Sequence, residues 1–145
     1  MTKSADFAPD EWNVVREGPT SAGLIVSTAQ RGGTFREIFA MAKVYAAARA
    51  EHGASALLDE LVSAKPDVDR TKSHSPEQLK EHGLQRIRDA VALVEAKATT
   101  EELGEYRNFV ISLCERVAGA KSEGGQEVSD AEGAAIAEVK VALGV

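Results

Sequence analysis

Few of the side chains able to do chemistry in this chain are spaced to do it together. Four carboxylates gather near the C-terminal end, Glu123, Glu127, Asp130 and Glu132, and carboxylate oxygens are the ligands that Ca²⁺ and Mg²⁺ take. The spacing is not that of an EF-hand loop, because Asp-x-Asp-x-Asp-Gly does not occur. Asp130 and Glu132 also fall in the first turn of a predicted helix, where negative charge meets the positive end of the helix dipole, and this accounts for them without a metal. His52, His74 and His82 sit near predicted helix ends or in a polar stretch. Arg49, Thr71 and Leu79 precede them by three, so the Glu-x-x-His pair of di-iron bundles is missing, as is His-Glu-x-x-His. All three read as capping or solvated side chains.

Lys43 stands in the middle of the most apolar predicted helix. Burial there would disfavour its charged form and make it a general-base or Schiff-base candidate. With its stem packed along neighbouring alanines and its ammonium in water it would be an ordinary surface residue. No partner motif accompanies it, so the second state is expected. Cys114 is the only cysteine, which excludes an intrachain disulfide and a thiolate metal cluster. It lies on or beside an apolar stripe with no Cys-x-x-Cys and no nearby histidine, and reads as a buried structural thiol. Gly32-Gly33 and Gly124-Gly125 are not phosphate loops, since no Gly-Lys-Ser/Thr follows either pair. The expectation is no catalytic residue, no cofactor-binding residue and no cofactor, with Glu123, Glu127, Asp130 and Glu132 the weak candidates for a metal.

The elements that would position these groups are helices. Thr34-x-x-Glu37 is a capping box, and it opens a helix over 34–52 whose residues 38–48 include one polar side chain, Lys43. Apolar almost all round, this helix is expected to be buried at the centre of the domain. Before it, Asp10 caps a short helix over 11–17, Gly18-Pro19 ends that helix and starts another over 19–30, and Gly32-Gly33 ends the second. After it come helices over 55–64, 76–97, 99–121 and 130–143, the last three opened by Ser75-Pro76-Glu77-Gln78, Thr99-x-x-Glu102 and Ser129-x-x-Glu132. In the longest, Leu103, Tyr106, Val110, Leu113, Val117 and Ala120 form the inward stripe. No segment alternates with period two. The fold class is therefore all-α: about seven helices around the buried 34–52 helix, in a single domain spanning 1–145. Its halves, 1–64 and 76–145, are joined by the polar linker 65–75, KPDVDRTKSHS.

Charge limits the partners. The formal net charge is −6, and residues 122–145 alone carry five acids against Lys140. Nucleic acid would be repelled, and no run of about 18 apolar residues exists to span a membrane. The first twelve residues, MTKSADFAPDEW, contain no apolar signal core. A cytoplasmic protein is expected.

Two segments share one plan: a helix, a Gly-Gly pair, a capping box and an apolar helix, at 30–37 and again at 121–132. This suggests two pseudo-symmetric helical hairpins. Helix, short acidic glycine loop and Ser-x-x-Glu into an apolar helix is similar to the tellurite-resistance TerB-like family, best at residues 122–143, SEGGQEVSDAEGAAIAEVKVAL. The resemblance implies an all-helical domain of two such hairpins, with acidic loop residues binding metal ions. The family's Asp-Gly is replaced here by Glu123-Gly124 in one loop and by Arg31-Gly32-Gly33 in the other, and a basic loop does not attract a cation. Read from the residues, the function is that of a non-enzymatic cytoplasmic helical domain acting through a protein partner or as a homo-oligomer. The alternative, which the resemblance implies, is a TerB-like protein binding a metal ion or small ligand.

Overall fold

The computed structural model describes residues 4–28, 42–48, 56–63, 76–119 and 130–144. Within them the all-α expectation holds, with six α-helices and no strand. A 3-10 turn, Ser4–Asp6, precedes α1, Pro9–Thr28. Residues 42–48 form α2. Then come α3, Ala56–Ser63; α4, Pro76–Lys97; α5, Thr100–Gly119; and α6, Asp130–Leu143.

Local chemistry sets the helix starts. Ala8, not Asp10, is the cap of α1: its carbonyl accepts from the Trp12 amide at 2.8 Å, and its own amide donates to Glu11 Oε1 at 2.8 Å. Pro9 takes the first helical position, where its missing N–H costs nothing. Phe7 then packs on Trp12, ring centroids 5.6 Å apart, as a hydrophobic staple across the cap. The Thr99 box forms as its spacing predicts. The Glu102 amide donates to Thr99 Oγ1 at 3.1 Å, and the Thr99 amide donates to Glu102 Oε1 at 3.2 Å. At the other end of the chain Gly144 adopts φ +77°, the left-handed conformation that ends α6, and Arg107 Nε of α5 donates to the Leu143 carbonyl at 2.7 Å.

The sequence predicts a break at Gly18-Pro19, but α1 runs through it, so two expected helices become one. Pro19 has no N–H to donate to the Val15 carbonyl, which normally costs an interior helix about 3 kcal/mol. The Tyr106 hydroxyl of α5 donates to that carbonyl instead, at 2.8 Å. Gly18 makes the approach possible, because a Cβ there would overlap the hydroxyl. The apolar face at Val15, Ala22, Ile25 and Val26 is buried and continuous across the proline. Tertiary packing and one borrowed donor thus override a strong local stop signal.

Among the described residues the core centres on α1, α4 and α5. The described part of the expected 34–52 helix, α2, is buried on one side only: Tyr45 is buried, Val44 and Ala48 are half-buried, and Ala42, Lys43, Ala46 and Ala47 are exposed. Alanine does not force burial, since a small apolar side chain in water is unexceptional. Among the described residues the most extensive helix contact is α1 along α4. Glu11 bonds Lys97, a Cβ on Gly18 would come within 3.2 Å of Ala90 Cβ, and a Cβ on Gly83 within 2.8 Å of Ile25 Cδ1. These pairs step along the two helices seven residues at a time in opposite directions, so the helices run antiparallel in one register. Against them α5 contributes Leu103, Tyr106, Val110, Leu113 and Val117, all buried, and α6 contributes Ile136, Val139 and Leu143. The α3 residues Leu57, Leu61 and Val62 complete the core. The linker 65–75 and the Gly-Gly turns of the two expected hairpins lie outside the described residues.

Candidate functional site

Lys43, His82 and Cys114, described residues that chemistry singled out, lie on three different helices. Lys43 is on the open side of α2, so the buried-amine chemistry has no setting there. His82 is exposed on α4, while His52 and His74 lie outside the described residues. Asp130 and Glu132 occupy the first turn of α6, and Glu123 and Glu127 lie outside the described residues. Among the described residues no group of three or more His, Cys, Asp or Glu side chains is placed to hold a metal ion. Cys114 is buried in α5, and burial, assisted by the nearby Glu115 charge, pushes its thiol from an ordinary 9.0 up to about 12. A thiol so placed is neutral and a poor nucleophile.

Two buried phenols stand in the core. Tyr106 is fully buried, and its ionisation is pushed well up, first by desolvation and then by the neighbouring Tyr45. Tyr45 is raised by burial, with Arg16 pulling the other way, and its ring meets Phe109 edge-on at 5.4 Å. Both are locked as neutral phenols at ordinary pH, which suits packing and hydrogen bonding rather than acid–base exchange. Ion pairs at the surface of the described residues include Lys80–Glu138 at 2.7 Å, Arg86–Glu17 at 3.0 Å and Lys97–Glu11 at 2.8 Å. The last lowers the Glu11 carboxyl, through the Lys97 bond first and the Ala8 amide second.

The surface feature that stands out is α6. Its inner side buries Ala135, Ile136, Val139, Ala142 and Leu143. Its outer side exposes Gly133, Ala134, Ala137, Lys140 and Val141. Val141 is 75% exposed, and among the described residues it is the one large apolar side chain left in water. Ala134, Ala137 and Val141 recur at three and four residues, so they line one stripe. No stripe on this helix is singled out from sequence alone. The signal was available, because GAAIAEVKVAL is apolar on both sides of the helix, the same property used to bury 34–52. Among the described residues no helix is long and apolar enough to cross a membrane. Compared with family models, with curated proteins and with solved structures, the chain has no match.

Proposed function

We propose that this chain is a non-catalytic helical module that works by contact, and that it associates with a second copy of itself through the outer stripe of α6. We read it as cytoplasmic, in keeping with a single, buried cysteine. The observation that carries the reading is the apolar stripe Ala134, Ala137 and Val141 on a helix whose opposite side already belongs to the core. Val141 argues most for a covered outer side, because it is large, apolar and open to water. Glycine and alanine at Gly133, Ala134 and Ala137 allow two helix backbones to come close.

Charge favours an antiparallel pairing with a like helix. Asp130 and Glu132 occupy the first turn of α6, while Lys140 lies near its other end and Arg107 sits on its last carbonyl. Two copies laid antiparallel bring each acidic start to the other's basic end, a two-fold contact that uses the same patch twice. The dispersal of Lys43, His82 and Cys114 supports the non-catalytic part of the reading.

Sedimentation equilibrium tests it. The wild-type chain is expected to be a dimer at micromolar concentration, and Val141→Glu and Ala137→Glu to be monomers with unchanged helical circular dichroism. A wild-type monomer across that range, or a dimer indifferent to both substitutions, would refute the reading.

A further inference from the structure

We propose that α1 is a hinged helix, with its joint at Gly18-Pro19 and the Tyr106 hydroxyl as the pin that holds the leading half, 9–17, in line with the rest. Proline in a helix interior removes one rung of the backbone ladder, and such positions are where helices bend. Here the missing rung would leave the Val15 carbonyl unpaired in a residue with no exposure to solvent. The replacement donor comes from α5, 91 residues away in sequence. Each of the three residues has its own part: Pro19 removes the local donor, Tyr106 supplies the distant one, and Gly18 leaves the space through which it reaches. Thr20 Oγ1 donates to the Glu17 carbonyl at 3.1 Å, a back-bond that itself favours bending just past the joint.

The leading half is the half that moves. Its far end is held by the buried Phe7 ring and by Lys97, whose Nζ reaches the Asp6 carbonyl at 3.2 Å and Glu11 at 2.8 Å and lies 5.6 Å from the Phe7 ring centre. The following half is wedged into the core by Ala22, Leu24, Ile25 and Val26, all buried, with Ile25 against Gly83. Val15 is the one buried residue of 9–17, against seven of residues 19–26, so a hinge at Gly18-Pro19 opens on the leading side.

Tyr106→Phe removes the pin and keeps the ring. Amide hydrogen exchange and the emission of Trp12, the single tryptophan, read the result. The amides of residues 20–22, whose helix bonds span the joint, are expected to exchange roughly tenfold to a hundredfold faster, the range set by losing one buried hydrogen bond. Trp12 emission shifts to the red, and the amides of α4, α5 and α6 keep their wild-type rates. In Pro19→Ala the residue-19 amide restores the local donor, so adding Tyr106→Phe to that variant leaves residues 20–22 protected. Equal acceleration in every helix would overturn the hinge, as it marks a general loss of packing. So would unchanged exchange in Tyr106→Phe, or an equal effect of that substitution with and without Pro19. Should Tyr106→Phe alone fail to fold, a folded Pro19→Ala/Tyr106→Phe chain supports the hinge and an unfolded one overturns it.

Discussion

Gly83→Ala sets two opposing effects against each other at the α1–α4 contact, and the geometry says which wins. Replacing glycine inside a helix with alanine stabilises by about 1 kcal/mol through the unfolded chain and helix propensity. At residue 83 the new methyl would lie 2.8 Å from Ile25 Cδ1 and 3.1 Å from Ile25 Cγ1, closer than carbon atoms sit. Ile25 is 2% exposed and has little room to retreat. Overpacking of this kind costs about 1–3 kcal/mol, so the net expected change lies between neutrality and about 2 kcal/mol of destabilisation. The nearer of the two clashing atoms is the one that Ile25→Val deletes. Ile25→Val alone should cost about 0.5–1.5 kcal/mol. In that background Gly83→Ala should become stabilising, approaching about 1 kcal/mol, because the propensity gain survives while the contact is relieved. Urea unfolding of the four chains, with equal m-values, gives the interaction energy directly. Equal effects of Gly83→Ala in both backgrounds would show that residues 25 and 83 do not touch, and the deduced helix register would be wrong.

Three further outcomes follow from the same contacts. Thr99→Ala should lower the unfolding free energy by about 1 kcal/mol, read by chemical denaturation, because the Glu102 amide loses its acceptor. Stability should fall as pH rises from 9 towards 12. Cys114, Tyr45 and Tyr106 all have raised folded values, so their contribution is complete below the unfolded values and is lost above them. Each group adds a slope of up to about 1.4 kcal/mol per pH unit, and a urea midpoint that stays flat from pH 9 to pH 11 would contradict their burial. Millimolar Ca²⁺, Mg²⁺, Mn²⁺ or Zn²⁺ should leave the melting temperature unchanged. A rise would show cation binding by mass action and favour the TerB-like reading of Glu123, Glu127, Asp130 and Glu132.

The class of the fold and most helix limits were legible because caps are local. Thr99 and Glu102 need only each other, and the Pro76 start needs only the residue before it, so spacing alone finds them. Gly18-Pro19 misled for the complementary reason. The donor that repairs the helix lies on α5, and nothing near residue 19 announces it. In 42–48, the described part of the expected 34–52 helix, burial is one-sided because alanine reports helix propensity more than burial. Ala46 and Ala47 are exposed although the stretch around them reads as uniformly apolar. The outer stripe of α6 was written in plain view, but a two-sided apolar pattern does not say what packs on each side. The buried positions of Cys114 and Tyr106 followed directly from the period of the α5 stripe.

The seven-residue stepping of α1 against α4 makes this molecule far more sensitive to length than to composition. Deleting one residue from either helix rotates everything beyond it by about 100° and shifts it by about 1.5 Å. Beyond the cut, Gly18 would no longer face Ala90, nor Gly83 face Ile25, although every side chain involved would still be present. Insertions and deletions in descendants of this chain are therefore expected to collect between helices, while α1 and α4 keep their lengths even as their surfaces diverge.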